Sequence, residues 1–188
     1  MTKCATPSQT VGPFFTIGLQ DLGRARSHSA DISAHEIFVS GRVLDGDGIG
    51  VNDALIELWH ADVSGRWGGF AEAEGNAKSD GAGFLRLPTD EQGGFSFETI
   101  KPGRVAGPGG KLQAPHIVAI LFMRGLLRHL VTRIYFPDES ANAEDPIWAL
   151  VPEARRASLL LKQVTPGENR YEWNVVLQGA NETVFFDW

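Results

Sequence analysis

The stretch Glu36 to Ala61, EIFVSGRVL-DGDGIGVND-ALIELWHA, decides the fold. Its first nine residues are rich in β-branched and aromatic types, and Asp45-Gly46-Asp47-Gly48 supplies turn chemistry. In ALIELWHA, Leu55, Glu57 and Trp59 fall on one face of a strand and Ile56, Leu58 and His60 on the other, because side chains two apart point the same way. Two strand-length runs around such a turn predict a hairpin with a slightly long loop. Working outward, GGFSFETI at 93 to 100 alternates Phe95 and Phe97 with Ser96 and Glu98, and Lys101-Pro102-Gly103 closes it. APHIVAILF at 114 to 122, HLVTRIYF at 129 to 136, YEWNVVLQ at 171 to 178 and the terminal ETVFFDW also read as strands. Phe70 to Glu91 reads as a long connection. The helical pattern falls at Asp145 to Lys162, split by Pro152, with Glu153 to Leu161 the longer part. The class predicted is all-β, an antiparallel β-sandwich with an N-terminal arm (1–35) and one short helical excursion, in a single domain whose sandwich spans 36–188.

Composition narrows the function. The chain has 188 residues and a net charge of −6, with no Lys/Arg cluster, which argues against nucleic acid or an anionic membrane as a partner. Cys4 is the one cysteine, which fits a reducing cytoplasm. MTKCATPSQTVGPFF lacks the apolar core of a signal peptide, and no run approaches the ~20 apolar residues of a membrane span, so a cytoplasmic, membrane-free protein is expected. Val11, Phe14, Phe15 and Ile17 are apolar in the arm, which is therefore expected to pack on its own sheet or on a partner.

Familiar catalytic motifs are missing. Gly107-Pro108-Gly109-Gly110-Lys111 precedes leucine rather than Ser/Thr, and neither GxSxG nor HExxH occurs. His28 and His35 read as solvent-facing arm residues, and His60 and His129 as hydrogen-bonded residues at strand ends. Only Tyr135 and Tyr171 offer phenols. His116 sits on the apolar strand, but the next same-face position is Val118, which cannot be a second ligand.

Several segments together carry a resemblance. TPSQTVGPFF at 6 to 15, GRVLDGDGIGVNDALIELWHAD followed by SGR, GGFSFETIKPG, the APHI-LF-RG pattern at 114 to 125, TRIYFPDE at 132 to 139 and the terminal ETVFFDW resemble the aromatic-ring intradiol dioxygenases. Catalytic members of that family hold Fe(III) with two tyrosinates and two histidines; the hard anionic phenolate oxygens suit a hard cation and the neutral imidazoles complete the site. At the matching positions this chain carries Trp67, Val105, His116 and Val118, and Gln113 where the catalytic pattern has arginine. The resemblance therefore implies no metal ligation and no catalytic residue within this chain. It implies instead the iron-free member of a two-chain enzyme, with Fe(III) bound by a homologous β partner. The implied substrates are O2 and a small aromatic acid, protocatechuate, opened between its two hydroxyl-bearing carbons. The implied substrate-binding residues of this chain are Thr10, Gly12, Pro13 and Arg124. Other readings are a self-sufficient homo-oligomeric dioxygenase and a non-enzymatic β-sandwich binding module.

Overall fold

A computed structural model describes residues 6–19, 36–67 and 83–187. Its elements are α1 (Pro13–Leu19) and eleven strands: β1 (Glu36–Leu44), β2 (Leu55–His60), β3 (Gly83–Pro88), β4 (Gly94–Ile100), β5 (Val105–Ala106), β6 (Leu112–Gln113), β7 (His116–Phe122), β8 (Leu130–Tyr135), β9 (Lys162–Gln163), β10 (Arg170–Glu172) and β11 (Val175–Val176). In the first sheet β1 pairs antiparallel with β4 over its whole length, and parallel with β10 and then β11; β9 extends β10. The second sheet runs β3-β2-β7-β8, antiparallel throughout. A two-stranded ribbon, β5-β6, stands apart.

The two sheets face each other across a shared core. Val39, Phe95, Phe97, Tyr171 and Val175 meet Ile56, Leu58, Ile117, Leu121 and Ile134 there. Full burial of each such side chain stabilises by about 1.5–3 kcal/mol before entropy is counted. A second cluster lies on the other face of β8, where Tyr135 packs with Ala114, Val151, Leu159 and Val184. Alternation of Ile134 and Phe136 against Tyr135 thus serves two cores at once.

The sandwich predicted from the sequence is present, with corrections. The Glu36–Ala61 hairpin does not form, since β1 and β2 belong to different sheets. The turn itself is as read: the Asp45 carboxylate accepts from Asp47 N and Ile49 N at 2.9 and 2.8 Å. What redirects β2 is its burial on both faces, Leu55 as well as Ile56 and Leu58, which demands the interior place it takes between β3 and β7. β3 was hidden in the connection expected at Phe70 to Glu91, where every residue of GFLRLP is half-buried and no alternation shows. YEWNVVLQ is broken into β10 and β11 at Trp173-Asn174. The terminal strand reduces to one bridge, Val131 to Phe186. The helical excursion is 3₁₀, at Trp148–Leu150 and Glu153–Leu159, because Pro152 interrupts it before an α-helix can propagate. In the arm, Pro13 opens a short helix, α1, that was not expected. Cys4, His28 and His35 lie outside the described residues, as do most of the 1–35 arm and Trp188.

Candidate functional site

Of the four positions that the resemblance matches to a metal centre, His116 and Val118 lie on the outer face of the second sheet. His116 and Val118 point the same way along β7, and the register sets Arg133 beside Val118 and Tyr135 beside His116. Trp67 meets the His116 ring edge-on, centroids 6.3 Å apart. Val105 pairs with Gln113 across the β5-β6 ribbon. Trp67 remains 49% exposed, so it flanks the site and does not plug it, whereas Val105 is buried.

These residues do not fit Fe(III). Indole and isopropyl groups offer no lone pair for a metal, which leaves one imidazole. The His116 Nδ1 lies 2.8 Å from the Ala114 carbonyl oxygen, which fixes Nδ1–H as donor. Beside it a buried cation is already present: the Arg133 guanidinium donates to Gln113 Oε1 at 2.7 Å and to the Tyr135 hydroxyl at 3.3 Å. Gln113, at the position where the resemblance implies an arginine, instead receives the guanidinium of Arg133 from β8. A fixed positive charge there repels a tripositive ion.

The same surroundings set the protonation states. Burial, reinforced by the Arg133 charge, pushes the His116 imidazole down to about 4 from an ordinary 6.5. Burial pushes the Tyr135 phenol up to about 12. Both groups are therefore neutral at physiological pH. Between pH 6.5 and about 4 the unfolded chain holds a proton on His116 that the folded chain does not. Stability must fall as pH drops through that window, by on the order of 3 kcal/mol. Denaturation midpoints measured from pH 7 to 4 should show this loss, and His116→Gln should flatten the slope.

A different set of residues gathers at the other end of β7. Thr10 Oγ1 accepts from Gly125 N at 2.8 Å and lies 3.5 Å from the Met123 carbonyl, so the arm clasps the turn that carries Arg124. The Gly12 carbonyl accepts from Phe15 N at 3.0 Å, and Pro13 begins α1. Phe15 packs on Phe122, the last residue of β7, at 5.3 Å. Arg124 Nε donates to the Asp53 carboxylate, and the Asp53 carbonyl accepts from the Thr16 hydroxyl at 3.3 Å. Thr10, Gly12, Pro13 and Arg124, four positions singled out from the sequence, thus lie in one neighbourhood with a fifth, Asp53, read there only as loop. Val11, Phe122, Met123 and His129 line a cleft of about 190 Å³ at the same place. That is smaller than the roughly 300–1,000 Å³ of a usual small-molecule pocket.

Two further residues escaped the sequence reading. Asp145, fully buried, accepts from Ala114 N at 2.8 Å, Ile147 N at 2.7 Å and Trp148 N at 3.0 Å. Asp62 accepts from Ser64 N and Arg66 N and pairs with the Arg66 guanidinium at 2.8 Å, which shapes the loop leading to Trp67.

Trp67, Val105 and Val118, three of the four positions that the resemblance matches to metal ligands, carry no metal-binding group, and His116 is the fourth. The chain belongs to the Dioxygenase family, which its residues 11–179 match. It is 42% identical to the protocatechuate 3,4-dioxygenase alpha chain of Burkholderia cepacia, over 97% of this chain and 96% of that one. The protocatechuate 3,4-dioxygenase beta chain of the same organism is 35% identical over 87% of this chain and 73% of its own length. Among solved structures, 3-chlorocatechol 1,2-dioxygenase from Rhodococcus opacus 1CP superposes with a TM-score of 0.60 at 23% identity, over 79% of this chain and 62% of that one, a likeness of fold. Among the described residues no helix is long and apolar enough to cross a membrane.

Proposed function

We infer that this chain is the α-type subunit of a protocatechuate-cleaving intradiol dioxygenase. The reaction inserts both atoms of O2 into protocatechuate between its hydroxyl-bearing carbons and yields 3-carboxy-cis,cis-muconate, a step of aromatic catabolism. Iron belongs to the β partner in this reading, and ring cleavage takes place there. The observation that carries it is the pairing of two features in one chain. Three of the four matched metal positions lack a donor and a buried guanidinium lies beside them, while the family likeness to an alpha chain runs over nearly the whole length.

This chain's contribution is one wall of the substrate pocket. Thr10, Gly12, Pro13 and Arg124 form that wall, brought to one place by the arm and the β7–β8 turn. Glycine lets backbone approach a flat ring, proline stiffens the arm, and a guanidinium suits a carboxylate. The arm presents surface for a partner chain: Phe14 is 84% and Ile17 61% exposed. A cytoplasmic location, expected from the cysteine usage, is part of the same proposal.

Reconstitution tests it. The purified chain alone should bind no ferric iron and cleave no ring, and co-expression with a β-type chain should give an iron-loaded, active complex. A preparation of this chain alone that is coloured and loaded with iron would sink the subunit reading in favour of a self-sufficient enzyme. A complex whose β chain is equally active without this chain would favour the binding module.

A further inference from the structure

We propose that Asp53 is a positioning residue for Arg124, dictating which edge of its guanidinium meets the substrate carboxylate. The inference rests on the reading that Arg124 faces the substrate. Asp53 closes the long connection between β1 and β2, and Arg124 lies 71 residues further on in the β7–β8 turn. The sandwich brings them together because Leu55, two residues after Asp53, pairs with Phe122, two residues before Arg124. Their side chains then meet at the same end of the sheet, where Arg124 Nε donates to the Asp53 carboxylate.

A guanidinium can grip a carboxylate by either of two edges, Nε with one Nη, or the two Nη atoms. Occupation of Nε by Asp53 removes the first edge. The Nη pair has no hydrogen-bond partner among the described residues, and the arginine side chain is 59% exposed. Asp53 itself is held: its side chain is only 21% exposed, and its carbonyl accepts the Thr16 hydroxyl of α1. Thr10 fixes the other flank by bonding Gly125 N. Arm, connection and turn thus restrain one long, flexible side chain, lowering the entropy lost when it binds a ligand. The carboxylate tempers the local positive charge, so specificity comes from orientation more than from attraction.

The test uses the assembled αβ complex with Asp53→Ala, Asp53→Asn, Arg124→Ala and the Asp53→Ala/Arg124→Ala double variant. Two measurements are made on each: kcat and KM for protocatechuate, and Kd for catechol, the same ring without the carboxylate. Arg124→Ala should raise KM about tenfold or more with kcat nearly unchanged, the pattern of lost uniform binding. Asp53→Ala should raise KM about three- to fivefold and Asp53→Asn by less, with catechol binding unchanged in both. The double variant should be no worse than Arg124→Ala alone. A neutral Asp53→Ala beside a harmful Arg124→Ala overturns the proposal. So does an Asp53 effect that persists in the Arg124→Ala background or falls equally on catechol. A neutral Arg124→Ala overturns the pocket reading itself, and the proposal with it.

Discussion

Asp145→Ala should lower the unfolding free energy by about 3–5 kcal/mol, one of the two largest effects expected of a single substitution in this chain. The carboxylate is fully buried and accepts three backbone N–H groups from two separate segments, Ala114 before β7 and Ile147-Trp148 in the 3₁₀ turn. Truncation leaves all three donors without their acceptor. Each unsatisfied buried donor costs about 1–3 kcal/mol, partly relieved by relaxation. Asparagine should rescue little. Both oxygens of Asp145 are used as acceptors, so an amide would turn an NH2 group toward at least one of the same N–H groups. Urea denaturation checks this: the midpoint should fall steeply in both variants with the slope unchanged. If Asp145→Asn retains wild-type stability, one of the two segments is not held in this way.

Why this residue went unnoticed in the sequence says much about what a sequence makes legible. Local periodicity was readable: Phe95 and Phe97 against Ser96 and Glu98, and Ile134 and Phe136 against Tyr135, fall on the faces their alternation implies. Strand partnership was not. The turn at Asp45–Gly48 looks the same whether the chain doubles back in one sheet or crosses to the other, and only the burial of Leu55 beside Ile56 separates the two. β3 was invisible because an edge strand of half-buried residues has no contrast between its faces.

The site divides along the same line. Trp67, Val105, His116 and Val118 were singled out because a family pattern fixes their spacing; the structure sets Trp67 against the His116 ring and Val118 on the same face of β7. Arg133, Asp145 and Asp53 each act through partners 20, 31 and 71 residues away. In the sequence they pass as a strand residue, the first residue of a helical pattern and a loop acid. The buried guanidinium of Arg133 gives Gln113 Oε1 and the Tyr135 hydroxyl a donor from within the chain.

Gly65→Ala should cost about 3–4 kcal/mol and disturb Trp67 and Val105 together. Gly65 has φ +80, which costs an alanine about 1–2 kcal/mol in itself. A Cβ there would also lie 1.8 Å from the Arg104 carbonyl oxygen, so one of two backbones must move. The approach is reciprocal, because a Cβ on Gly103 would lie 2.3 Å from the Val63 carbonyl oxygen. Gly103 N in turn donates to the Asp62 carbonyl at 2.9 Å. Two bare backbones are thus pressed together where the chain runs on to Trp67 on one side and Val105 on the other. Separating them strains both segments and the Asp62 loop between β2 and Trp67. Gly167→Ala isolates the conformational part of the cost, since Gly167 has φ +85 but nothing within 4 Å of an added Cβ. It should lose only about 1–2 kcal/mol. Denaturation midpoints of the two variants, measured side by side, decide the matter: equal losses would mean that the close approach of Gly65 and Arg104 does not hold Trp67 and Val105 in place.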